Sequence, residues 1–298
     1  MEEIGELIGK GFGIWRSNLN LCVPFLLSIF VSMIILVPFL AAFFMTSMPM
    51  VSMNATLLQN DEDMQELLAQ MQGSLGSLEM DKILLIAVLF LALIVLLSLV
   101  NAFFTAGSIG MARQALENGK SDTSVMWSAG KTHFFNMFLA ILLMGFLTLA
   151  GLIFLLPALS QGTTSLQGDP QAMGLLAVGL LLFILYALVL SVILVTMPYA
   201  LVVQGLGPMQ AVLASTNFFR YNKFDVVILW LVVAAISLGL QMIGGAFSTG
   251  GEAGGGPLSA ITGIVNLLVL APLSNLWWTR LYMNRKGMLR VDEVKDPW

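Results

Sequence analysis

Met111–Asn136 reads MARQALENGKSDTSVMWSAGKTHFFN, and Met197–Asn222 reads MPYALVVQGLGPMQAVLASTNFFRYN. At a constant offset of 86 residues, Met111 falls on Met197, Gly119 on Gly205 and Asn136 on Asn222. Each stretch leaves a long apolar run, carries basic residues, turns at a glycine, passes aromatics and opens the next apolar run. The closing pattern recurs at Arg280–Gly287 and the opening pattern at Trp15–Asn18. By identity the repeat is weak, with three matches in 26 aligned positions. Its weight comes from independent features that agree. An aromatic stands three residues before each opening Asn: Trp15 before Asn18, His133 before Asn136 and Phe219 before Asn222. Asn-to-Gly distances are 101, 69 and 65 residues, and one long loop in the first unit, Thr46–Asp81, accounts for most of the excess.

Outward from this stretch, six apolar runs are long enough to span a bilayer, which takes about 20 residues as a helix. They are Leu21–Met45, Ile83–Phe104, Phe134–Leu156, Leu175–Thr196, Val226–Phe247 and Leu258–Trp278. None alternates as a membrane β-strand would. The last is the weakest, interrupted by Asn266, Pro272 and Asn275. The whole 298-residue chain is 58% hydrophobic and 10% charged, with mean hydropathy +0.92. A soluble domain is about 25% charged, so this chain has too little polar surface to cover a particle in water. The expected fold is all-α: a polytopic membrane protein of six transmembrane helices in three two-helix repeats with cytoplasmic amphipathic connectors. It reads as a single transmembrane domain, 1–298, with units of about 1–119, 120–205 and 206–287 and a tail at 288–298.

Charge placement orients it. Twelve of the 13 basic residues precede the first run, follow the last, or lie between runs two and three or four and five; Lys82 is the exception. Short cytoplasmic loops are enriched in Lys and Arg. Both termini are therefore expected in the cytoplasm, in a cell (plasma or inner) membrane. The acidic loop Thr46–Asp81 and the Gly-rich loop STGGEAGGGP at Ser248–Pro257 would face out. The first run is too long for a cleaved signal core. Before it, Ile4, Leu7, Ile8 and Phe12 form one apolar stripe. That stripe suits an interfacial helix or a plain extension of the first span.

Little in the chain suggests chemistry. One cysteine, Cys22, excludes an intramolecular disulfide framework. One histidine, His133, has no nucleophile–carboxylate grouping to join. The Gly-rich loop lacks the Lys and Ser/Thr of a phosphate-binding loop. No catalytic residue, cofactor site or metal site is assigned. Asp225 at the mouth of the fifth run lies close to Arg220 and Lys223, so a surface ion pair or a helix-start charge is expected. Asn54-Ala55-Thr56 is a glycosylation sequon, and Met64, Leu67, Leu68 and Met71 have helical spacing. Asn18, Asn136 and Asn222 are read as interface anchors, bonding headgroups or capping helix starts, and Gly119, Gly205 and Gly287 as the matching turns. Asn101, Gln241, Asn266 and Asn275 are polar side chains in or near spans. They either pack against other helices or line a polar path. Ala235-xxx-Gly239, Ala187-xxx-Ser191 and Ser259-xxx-Gly263 offer small faces for close helix approach.

The patterns Trp15-Arg16-Ser17-Asn18 and Phe219-Arg220-Tyr221-Asn222, with YALVVQGLGPMQAV from Tyr199 to Val212, resemble those of a group of prokaryotic six-helix membrane proteins. That group is named for the membrane domain attached to some glycerophosphodiester phosphodiesterases, and it has stand-alone archaeal and bacterial relatives. The resemblance implies the six-helix fold and carries no catalytic residues. No stretch here has room for the phosphodiesterase barrel. The expected function is a non-enzymatic scaffold, accessory or lipid-interacting membrane protein, with a permease for a small neutral or lipid-like solute as the alternative. Its expected partners are membrane lipids and a protein partner or a second copy, with no nucleic acid.

Overall fold

A computed structural model describes residues 2–47, 80–160, 170–246 and 257–289. The Asn54 sequon, the helical spacing at Met64–Met71 and nearly all of the Gly-rich loop lie outside the described residues. In chain order the helices are α1 (Ile4–Ser17), α2 (Val23–Ser47), α3 (Met80–Asn118), α4 (Thr123–Ala150), α5 (Leu156–Leu159), α6 (Pro170–Leu194), α7 (Met197–Gln204), α8 (Pro208–Ala246), α9 (Pro257–Val265) and α10 (Ala271–Arg285). A π-helical turn, Asn266–Leu270, joins α9 to α10. There is no strand among the described residues. Six helical stretches are long and apolar enough to cross a membrane: Leu19–Phe43, Leu84–Asn118, Thr123–Ala158, Met173–Gln204, Pro208–Gly245 and Ser259–Arg285. Large apolar side chains stand exposed along them, including Phe30, Val37, Leu91, Phe146 and Leu181. Water would penalise such a surface and hydrocarbon does not.

The helices overrun the apolar runs. At 39 residues, α3 is about 58 Å long, roughly twice the thickness of a hydrocarbon core, while α8, also 39 residues, is two helical segments meeting at a kink at Asn222. The third run begins at Phe134, yet α4 begins at Thr123, where Asp122 caps it by accepting the Ser124 N–H at 3.0 Å. The fifth run begins at Val226, yet α8 starts at Pro208. Propensity continues a helix through a polar connector as readily as through an apolar span.

The chain divides into two compact units, Ser28–Val100 and Met1–Leu27 with Asn101–Trp298. In the first, Phe39 of α2 meets Phe90 of α3 edge to face, with centroids 5.7 Å apart. The second holds the core. At its centre is α10, whose Asn275–Met283 segment is buried throughout. The run read as weakest is thus the most protein-enclosed, because its polar residues are partnered inside. Thr279 Oγ1 donates to the Asn275 carbonyl at 2.7 Å. Pro272 has no N–H to offer the Leu268 carbonyl, and the Cys22 thiol donates to it instead, 3.0 Å away.

Gly119, Gly205 and Gly287 all adopt the left-handed conformation, with φ of 73°, 66° and 67°. Each ends a helix in the manner glycine favours. Leu206 N–H reaches back to the Leu201 carbonyl and Met288 N–H to the Met283 carbonyl, while Gly119 N–H bonds the Ala115 carbonyl. No atom lies within 4 Å of where a Cβ would stand at any of the three. The requirement for glycine there is the backbone angle alone.

Candidate functional site

The connectors and helix ends that carry the basic residues meet through a set of hydrogen bonds. Asn18 ends α1 with φ −133° and ψ 62°, so α1 is a helix in its own right and not an extension of the span. The Asn18 side chain is buried. Its Nδ2 donates to the Ile14 and Gly119 carbonyls, each at 3.0 Å, and its Oδ1 accepts the Ser121 N–H at 2.9 Å. Asn20 adds two bonds to Ser121, through its carbonyl and its hydroxyl. Asn18 thus ties the start of the first span to the glycine turn 101 residues on. It bonds backward to the α1 carbonyl of Ile14, whereas headgroup bonding or a cap on the next helix start was expected.

Asn222 repeats half of this. Its backbone is non-helical, with φ −125° and ψ 34°, inside α8. Its Nδ2 donates to the Phe218 carbonyl four residues back, at 3.1 Å. Asn136 is different: it sits half-buried within the unbroken helix α4. The polar-path candidates also scatter in environment. Asn101, Gln241 and Asn266 are exposed, Asn275 is buried, and Asn101 accepts a bond from Thr105 on its own helix. His133 is half-buried on α4. No cluster of three or more His, Cys, Asp or Glu that could hold a metal occurs among the described residues.

Sequence reasoning missed an ionic cluster. Arg280, in the enclosed part of α10, donates from Nε to Glu2 Oε2 at 3.0 Å and from Nη2 to Glu2 Oε1 at 2.6 Å. Both side chains are buried, at 4% and 7% exposure. Lys10 Nζ reaches Glu2 Oε1 at 3.1 Å and Glu6 at 2.7 Å. Arg285 donates to the Glu2 backbone carbonyl at 3.0 Å and to Asp225 Oδ2 at 2.7 Å. Asp225 therefore pairs with a residue 60 positions away, and not with the neighbouring Arg220 or Lys223. Burial pushes the Glu2 carboxyl up, but bonds and charge from Arg280 and then Lys10 outweigh it and hold it below its ordinary value. Glu6 and Glu2 hold the Lys10 ammonium above its own. Beside the cluster, Trp277 Nε1 donates to the Ile8 carbonyl at 3.2 Å. A Cβ at Gly11 would stand 2.5 Å from the Trp277 ring, so only glycine lets α1 lie this close to α10. The sequence held one hint, an acidic opening MEEIGE opposite a basic close RLYMNRK, but nothing in it pairs residues 278 positions apart.

These bonds hold helices together. Against known proteins, a domain of unknown function, DUF7847, matches residues 34–274. The chain belongs to that family. An uncharacterised protein of Archaeoglobus fulgidus is 25% identical over 294 residues, which cover 95% of this chain and 96% of that protein. No solved structure matches. Neither description mentions a glycerophosphodiester phosphodiesterase. Within the DUF7847 match lie Asp225, Asn136 and Asn222, whereas Glu2, Lys10, Arg280 and Arg285 lie outside it.

Proposed function

We propose that this DUF7847 member is a non-enzymatic integral membrane protein, a scaffold or accessory subunit that packs against lipid and protein partners. One observation carries the reading: the buried charges are spent on helix-to-helix bonds. Glu2, just before α1, ties that helix's start to α10, and Asp225 joins α8 to the end of α10. A permease would instead be expected to turn polar groups toward a shared path, and Asn101, Gln241 and Asn266 are exposed while Asn275 is buried. The test is solute flux. Purified protein in proteoliposomes is expected to leave glycerol permeability, read by stopped-flow light scattering, at the level of protein-free vesicles. A rise above it would replace the scaffold reading with the permease.

The three-repeat architecture belongs to the same proposal. It is supported by the three left-handed glycines at 86- and 82-residue spacing and by the shared backward bond of Asn18 and Asn222. Asn136 departs from the pattern. Kinship with the phosphodiesterase-associated membrane group rests on the quoted motifs. We also propose that the basic helix ends face the cytoplasm, on the charge rule. In a Cys22-free variant, a cysteine at exposed Ser160 should label in intact cells with an impermeant thiol reagent, and one at exposed Met288 should not. Labelling at 288 alone would invert the orientation.

A further inference from the structure

The kink of α8 carries a second feature that the ionic cluster does not absorb. Before the kink, Ala211, Ser215 and Phe218 are buried, while Met209, Leu213 and Arg220 stand exposed about half a turn away. This helix segment has one face on protein and one apolar-and-basic face without a protein neighbour, the pattern of a helix lying along a membrane surface. The exposed face leads straight into Arg220-Tyr221-Asn222-Lys223-Phe224. Tyr221 is 86% exposed and Phe224 74%. Arg220 and Lys223 are exposed, and neither has a hydrogen-bond or ion-pair partner among the described residues. Lys223 Nζ sits 5.4 Å from the centre of the Phe224 ring. The nearest carboxylate in sequence, Asp225, is held by Arg285 at 2.7 Å, which leaves the two cations without a neutralising neighbour among the described residues.

We propose that this kink binds the headgroup of an anionic phospholipid. Arg220 and Lys223 take the phosphate, Arg with its fork of donors and Lys as a point charge. Tyr221 and Phe224 lie at headgroup and glycerol depth, where exposed aromatics are favoured. The apolar run that opens at Val226 keeps the acyl chains beside α8. Two cations alone would serve any free phosphate equally. The two exposed rings and the apolar face at Met209 and Leu213 are what commit the site to a lipid. The proposal rests on the reading of this chain as a lipid-engaging membrane protein.

The experiment titrates delipidated full-length protein in detergent with phosphatidylglycerol or phosphatidylcholine, and native mass spectrometry reads the bound lipid. Native protein should prefer phosphatidylglycerol. Arg220→Gln with Lys223→Gln should weaken its binding about tenfold or more, since each basic group near an anionic surface contributes substantially. Arg220→Lys should retain most of it. Lys120→Gln with Lys286→Gln removes the same charge at exposed positions without flanking rings and should leave binding unchanged. Tyr221→Ala with Phe224→Ala should weaken it severalfold, and millimolar inorganic phosphate should not displace the lipid. Equal binding by the Arg220/Lys223 variant, an equal loss in the Lys120/Lys286 control, or displacement by phosphate would each overturn the proposal. Preference for phosphatidylglycerol that ignores Arg220 and Lys223 would leave the lipid-engaging reading standing and remove this site. Absence of any preference would count against both.

Discussion

Arg280→Ala is expected to lower stability by about 3–5 kcal/mol, the range for a buried pair that loses one partner. The physical reason is what remains. Glu2 keeps its buried carboxylate, 7% exposed, and loses the two bonds at 2.6 and 3.0 Å. Lys10, 3.1 Å away and 36% exposed, stays as a partner and places the loss toward the lower end. Glu2→Gln combined with Arg280→Ala should recover part of it, because the neutral amide leaves no unpaired buried carboxylate. The measurement is the thermal midpoint in detergent across the four members of this cycle. Indole fluorescence should follow the undocking of α1, since Trp277 donates to the Ile8 carbonyl. If Arg280→Ala melts with the native protein, the ion pair does not hold α1.

The same pair sets a pH dependence. The Glu2 carboxyl is held below its ordinary value when folded, so the unfolded chain binds the proton more readily. Stability from this group is then fully present above the ordinary carboxylate range and is lost as pH falls through the lowered folded value. Glu2→Gln should flatten that part of the acid limb, while at neutral pH it should already be less stable than the native protein.

Gly107→Leu is expected to cost about 3 kcal/mol or more, or to prevent a monodisperse fold altogether, as overpacking against rigid backbone does. A Cβ at Gly107 would stand 2.7 Å from Met126 Cγ and 2.8 Å from the Met126 carbonyl oxygen. The carbonyl is part of α4 and cannot turn aside as a side chain would. Gly110, one turn along the same face, meets the Cβ of Ala129 on α4. Gly239→Leu is the matched control. No atom lies within 4 Å of its Cβ position, and it should melt within about 1 kcal/mol of native, as substitutions away from packed features do. Thermal midpoint and gel-filtration profile in detergent decide between them. A Gly239 variant worse than the Gly107 variant would move the close helix contact to α8.

That contrast marks a limit of pattern reading. Ala235-xxx-Gly239 and Ser259-xxx-Gly263 offered small faces in sequence, yet no atom lies within 4 Å of a Cβ position at Gly239 or Gly263, and of these residues it is Ser259 whose Cα comes to 3.7 Å from the Cβ position of Gly244 on α8. In Ala187-xxx-Ser191, the Ser191 hydroxyl bonds the Leu188 carbonyl of its own helix. Small residues at helical spacing permit close approach, and only the neighbour's position decides whether it happens.

Sequence alone determined the apolar spans and the glycine turns. Burial in hydrocarbon is a property of run length and composition, so six runs appear as six helices long enough to cross a membrane. A left-handed helix end depends on one residue's own backbone sterics, so Gly119, Gly205 and Gly287 could be named from their place after each run. Tertiary structure alone decided the pairings. Glu2 with Arg280, Asp225 with Arg285, Asn18 with Gly119 and Cys22 with Leu268 join residues 278, 60, 101 and 246 positions apart. Hydrogen bonds and ion pairs act over about 3 Å, and no periodicity in the chain encodes which distant groups are brought within that distance. The same physics made the weakest span, α10, the buried centre of its unit: its polar residues look costly one by one and are stable only with the partners that folding supplies.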